Sequence, residues 1–214
     1  MKKFILKFKE KYFPERKFRS ARIWSNKVLG EIASMFEGDI INVSGWQDSD
    51  KRGRFYKDYF TNALSYTVSN YSGDMGYQNK EGEILLDLEK ELDKNLLSKF
   101  DVVFNHTVLE HIFEVEKAFH NLCLMSRDIV IVVAPFLQEM HYTDDYKDYW
   151  RFTPFALRAM FEKNNMKLVF IEANDEKNKS IYVLAVGSKN PLKWKNKLNI
   201  NDDIFIKLGN RIIK

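Results

Sequence analysis

The feature that most constrains this chain is an uninterrupted apolar run from Ile129 to Phe136, opening with the β-branched stretch IVIVV. A membrane-crossing helix needs about 20 apolar residues, so this run is too short to be one. It also lacks the polar alternation of a strand with one wet face. A strand buried on both faces fits, and such strands belong to parallel sheets covered by helices on either side.

The rest of the sequence supplies partners for that strand. Asp39–Ser44 (DIINVS), Leu64–Ser69 (LSYTVS), Ile84–Leu88 and Asp101–Asn105 (DVVFN) are short strand-like runs, each closed by polar or turn residues. Trp24, Val28, Ile32, Met35 and Phe36 recur at helical spacing within 20–36, and Gly38 stops them. Arg54–Ala63 also reads as helical. Val115, Ala118, Phe119, Leu122 and Met125 form one face of a helix after the fourth strand. Thr153-Pro154 opens another, with a hydroxyl cap followed by a proline at the first helical position. Lys167–Ala173 and Ser180–Gly187, joined by the polar loop NDEKNK, are expected to pair antiparallel. Seven strands alternating with helices predict a Rossmann-like doubly wound α/β sheet, mostly parallel, with a terminal antiparallel hairpin. The expected organisation is a basic helical segment over 1–37, the α/β domain over 38–188 and a basic extension over 189–214.

Composition narrows the chemistry. Cys123 is the single cysteine, so neither an internal disulfide nor a cysteine-based zinc site can form. The four histidines (His106, His111, His120 and His141) fall in no metal-binding spacing, and no metal is expected. Gly-Lys-Ser/Thr is absent, as is G-x-S-x-G. The N-terminus has no apolar stretch of signal-peptide type, so a cytoplasmic location is expected. Residues 1–27 carry ten Lys or Arg against two Glu, and 188–214 carry seven against two Asp, leaving an acidic stretch between them. Basic ends of this kind suit solvated tails or a peripheral contact with an anionic surface, while the acidic centre disfavours nucleic acid.

The segment Phe100 to His111 (FDVVFNHTVLEH) resembles the fourth-strand motif of the class I S-adenosylmethionine-dependent methyltransferases. Pro135-Phe136, His141 and the stretch 148–154 (DYWRFTP) resemble the loop after the fifth strand in one subgroup of that family. The resemblance spans about residues 38–188. It implies S-adenosylmethionine as cofactor, with Ser44, Gly45, Asn70, Asp87, Leu88, His106 and Thr107 around it. It further implies an acceptor on the side of His141, which is placed to act as general base, with Asp148, Trp150 and Arg151 shaping the acceptor loop. Subgroup members of this kind suggest an O-methyltransferase acting on a small molecule or glycan, as in polysaccharide biosynthesis. The first loop departs from the family: Asn42 replaces an acid, and Ser44, Trp46 and Asp48 occupy three glycine positions. After the second strand, Ser69 or Asn70 stands where an acid holds the ribose. A methyltransferase-like binding protein without cofactor is therefore the alternative reading.

Overall fold

A computed structural model describes residues 15–73, 76–174 and 179–200. Its strands are β1 (Gly38–Val43), β2 (Ala63–Asn70), β3 (Ile84–Leu85), β4 (Phe100–His106), β5 (Ser126–Leu137), β6 (Lys167–Ala173) and β7 (Ile181–Ser188). The helices are α1 (Glu15–Ile32), α2 (Val115–Met125), α3 (Pro154–Lys163) and the one-turn α4 (Pro191–Trp194). The strands form one sheet in the order β3-β2-β1-β4-β5-β7-β6. Neighbours from β3 to β5 are parallel, and β7 runs antiparallel to both β5 and β6. This is the Rossmann-like methyltransferase-type sheet expected from the sequence.

Successive residues of the central strands face opposite sides and both sides are covered, which is why the middles of these strands are largely apolar. Ile41, Val103, Val130 and Val132 pack under α2 and α3 against Phe119, Leu122, Leu157 and Phe161. Ile40, Val102, Phe104, Ile129 and Ile131 point the other way, against Ala21, Val28, Leu29 and Ile32 of α1. Helix α1 is therefore a layer of the domain. So is the segment after β7, where Trp194 is buried and donates its indole N–H to Asp128 Oδ2 at 3.0 Å. The basic residues before 15 and after 200 lie outside the described residues. No helix among the described residues is long and apolar enough to cross a membrane.

Two local expectations are corrected. Residues 54–63 form only a 3-10 turn at Tyr56–Asp58. Carboxylates hold the segment as local turns: Asp50 Oδ1 accepts from the amides of Arg52 and Arg54, Asp58 Oδ2 from Phe55, and Asp48 Oδ2 from Lys57. The Leu109–His111 stretch, whose Leu-Glu-His reads in sequence as the opening of a helix, is likewise a 3-10 turn, and α2 begins four residues later.

Candidate functional site

Strand order reverses where β1 meets β4, and the carboxyl ends of the strands there open into a cavity of about 800 Å³. A doubly wound sheet binds its ligands at such a switch point. The cavity is bordered by Ser44, Gly45 and Trp46 after β1, Asn70 at the end of β2, Asp87 and Leu88 after β3, and His106 and Thr107 at the end of β4. His141, from the loop after β5, borders it too. Asp148, Trp150 and Arg151 lie outside its lining.

The loop after β1 keeps a glycine-like backbone without the glycines. Ser44, Trp46 and Asp48 have φ of 57°, 47° and 58°, all in the left-handed region that L-residues rarely adopt. Each such residue costs on the order of 1 kcal/mol, and the surrounding bonds must hold it in place. They do so through two side chains. Asp48 accepts at Oδ1 from Asn42 Nδ2 (2.7 Å) and from the Tyr66 hydroxyl (2.7 Å). The amide at position 42, where the resembling family has an acid, is thus bonded to the buried carboxylate of Asp48. Asn70 Oδ1 accepts from the Trp46 amide at 2.6 Å, while its Nδ2 donates to Trp46 O at 3.1 Å and to Glu83 Oε1 at 2.5 Å. A Cβ at Gly45 would lie 2.5 Å from the Asn42 side chain, so any larger residue there forces that bonded amide to shift.

Asn70 is therefore already engaged through both its oxygen and its nitrogen in fastening Trp46. Burial works to raise the pKa of Glu83, but the bonds from Asn70 and from the Lys80 and Gln78 amides outweigh it and hold the carboxyl below its usual range.

One wall of the cavity comes from α1, which sequence reasoning did not place there. Arg22 donates to the Tyr56 hydroxyl (3.1 Å), to His106 Nδ1 (3.3 Å) and to Thr107 Oγ1 (2.9 Å). His106 Nε2 lies 2.9 Å from Ser25 Oγ, which itself donates to Arg22 O. Accepting from a guanidinium at Nδ1, the ring carries its proton on Nε2 and gives it to Ser25. Burial, then the Arg22 charge, pushes the His106 pKa well down, so the ring stays neutral. Nothing in the spacing of Arg22 announces this contact, which exists only because α1 crosses the strand tips.

The far end of the cavity gathers Glu110, His111, His141 and Tyr146. The Glu110 side chain is fully buried, and neither carboxyl oxygen has a hydrogen-bond partner from another residue. Burial, together with the Asp148 charge, raises its pKa to about 8 against the pull of its own backbone amide and two arginines. His111 donates Nδ1–H to Lys147 O at 2.7 Å, leaving the Nε2 lone pair 3.8 Å from Glu110 Oε1. His141 Nδ1 lies 3.2 Å from Asp148 Oδ2, which also accepts from the His141 amide at 2.8 Å. Arg151 grips Asp148 with both ends of its fork, at 2.5 and 2.7 Å, and spends its remaining N–H groups on the carbonyls of Gln138, Glu139 and Trp150. Trp150 Nε1 donates to Ile112 O. The DYWRFTP segment thus braces His141 from behind the cavity, and Thr153 caps α3 through Ala156.

Solved methyltransferases share this architecture. Magnesium protoporphyrin IX methyltransferase from Synechocystis, with bound S-adenosylhomocysteine, superposes with a TM-score of 0.55 at 10% identity, over 82% of this chain and 87% of that one. The 1,6-didemethyltoxoflavin-N1-methyltransferase of Burkholderia thailandensis gives 0.53 at 15% identity, over 84% and 86%. A putative methyltransferase from Haloferax volcanii, in complex with a methyltransferase activator, gives 0.57 at 11%, over 85% and 96%. No protein-family profile matches the chain, and no curated protein matches it. The fold is that of the class I S-adenosylmethionine-dependent methyltransferases. At these identities the likeness defines the fold.

Proposed function

We propose that this chain transfers the methyl group of S-adenosylmethionine to a hydroxyl of a small-molecule or glycan acceptor. The observation that carries the reading is the loop Ser44–Asp48, which holds three left-handed residues around a cavity large enough for the donor. Strain of this kind concentrates where a protein needs a particular backbone path. When bound, S-adenosylmethionine would supply a methyl group activated by its positive sulfur, which leaves as a neutral thioether while the acceptor hydroxyl gives its proton to a neighbouring base such as His141 or to water. The protein's task is alignment, exclusion of water and help with the proton. Ser44, Gly45, Asp87, Leu88 and Thr107 border the cavity and in this reading would hold the donor, with His141, which borders it too, on the acceptor's side.

A reading without donor has one observation in its favour, the Asn70 amide consumed by Trp46 rather than offered to a ribose. Calorimetry with S-adenosylmethionine and S-adenosylhomocysteine separates the two. Binding in the micromolar range supports the enzyme; no heat and no thermal shift at millimolar ligand would leave only a binding protein. Given turnover, His141→Ala should cut it at least tenfold with donor affinity unchanged, and equal loss of both would refute an acceptor-side role.

A further inference from the structure

We infer that Glu110, His111 and His141 form a site for one divalent first-row transition ion of the zinc type, at the acceptor end of the cavity. One ligand atom from each residue lies within 4.8 Å of the others. Three atoms so spaced share a point within about 2.8 Å of each, and bonds of about 2.0–2.2 Å to imidazole nitrogen and carboxylate oxygen are reached by small side-chain shifts.

Three further observations point to a cation. First, both Glu110 oxygens are buried beside the cavity with no partner from another residue. A native structure rarely leaves such atoms without a partner, and an ion is one of the few that suit two acceptor oxygens at once. Second, one ring is pre-set and the other has a carboxylate beside it. His111 gives its Nδ1 proton to Lys147 O and so presents its Nε2 lone pair, while His141 Nδ1 lies 3.2 Å from both Gln138 Nε2 and Asp148 Oδ2, the latter the kind of partner a metal-bound ring uses. A metal-bound histidine is oriented in this way by a carbonyl or carboxylate at its other nitrogen. Third, Arg151 fixes Asp148 from behind, holding the brace rigid. Two imidazoles and one carboxylate form an open site, with positions left for an acceptor oxygen, and this donor set suits zinc-like ions better than magnesium. The expectation that the chain has no metal site came from spacing alone; here two adjacent residues meet a third across a loop.

The binding claim stands by itself, while the ion's role rests on the proposed methyl transfer. An acceptor hydroxyl bound to the ion is polarised and releases its proton to water more easily, and its oxygen then takes the methyl group as the S–C bond breaks. His141 would then work as a ligand rather than as the base.

The test uses the full chain, stripped with chelator and titrated with Co²⁺ in the absence of donor. One equivalent should bind and produce visible d–d bands, and tenfold excess Mg²⁺ should not abolish them. Glu110→Gln, nearly isosteric, and His141→Asn should each weaken binding at least tenfold. Asp148→Asn, which touches no ion, should weaken it by roughly tenfold through the loosened ring. A measurement free of variants is ¹⁵N imidazole NMR with Zn²⁺: His111 and His141 should shift, and His106 and His120 should not. Absent bands, unchanged affinity in Glu110→Gln, or shifts confined to His106 or His120 would each overturn the site. Donor calorimetry is read without metal, so failure of either proposal leaves the other's result intact.

Discussion

Asn70→Asp places at the end of β2 the acid that the resemblance to methyltransferases implies there, yet the bonds around Asn70 show that it should harm this protein. The Asn70 Nδ2 group donates to Trp46 O and to Glu83 Oε1, and a carboxylate cannot donate to either. It would instead face the Glu83 carboxylate at about 3 Å, a repulsion of roughly 5 kcal/mol at an effective dielectric near 20. The pair escapes by holding one proton, which at pH 7 costs about 1.4 kcal/mol per unit above the ordinary carboxylate pKa, or about 4 kcal/mol. Water reaching the partly exposed Glu83 reduces this, and the lost bond to Trp46 adds about 1 kcal/mol. A net loss of about 3 kcal/mol should lower the melting temperature by roughly 6–12 °C in a chain of this size. The sign with pH follows from linkage. The shared proton gives the folded pair a raised pKa, so the deficit is small below the ordinary carboxylate range and grows as pH rises through it. Thermal melts at pH 4.5 and 7.5 measure this directly. Adding Glu83→Gln, which puts an amide opposite the new carboxylate, should recover at least half of the loss. A variant that melts within about 2 °C of the parent at pH 7.5, or that binds donor more tightly, would refute the clamp.

Other perturbations follow from the same site. Gly45→Ala should destabilise the chain by about 2 kcal/mol and weaken any donor binding, because its Cβ meets the buried Asn42 amide; denaturant melts and calorimetry read both effects. Arg22→Ala should raise the pKa of His106 by removing the neighbouring charge, yet leave it below the ordinary histidine value because burial is the larger cause, as an NMR titration would report.

Much of the fold was legible because its signals are local. The run at 129–134 is apolar on both faces, the shorter runs at 39–44 and 101–105 have apolar centres closed by polar residues, and Thr153-Pro154 starts α3 by its own chemistry. Residues 54–63 misled because helical spacing says nothing about the Asp48, Asp50 and Asp58 carboxylates that capture their amides. The candidate cofactor residues were legible through their places at strand ends, which the sheet brings to one cavity. The loop after β1 was legible as a departure only. That Ser44, Trp46 and Asp48 would hold the backbone of the missing glycines depends on Asn70, Tyr66 and Asn42, which reach them from two other points in the chain. Arg22 was invisible for the same reason, as its partners are 34, 84 and 85 residues away.

That last contact bears on how the molecule can be dissected. A fragment starting at β1 would retain every strand of the sheet and still arrive with an unfinished basin, because Tyr56, His106 and Thr107 would lose the guanidinium that joins them. Whatever the cavity receives, the first helix is part of the vessel, and shortening the chain at its front strips the sheet of a packed layer together with a wall of the cavity.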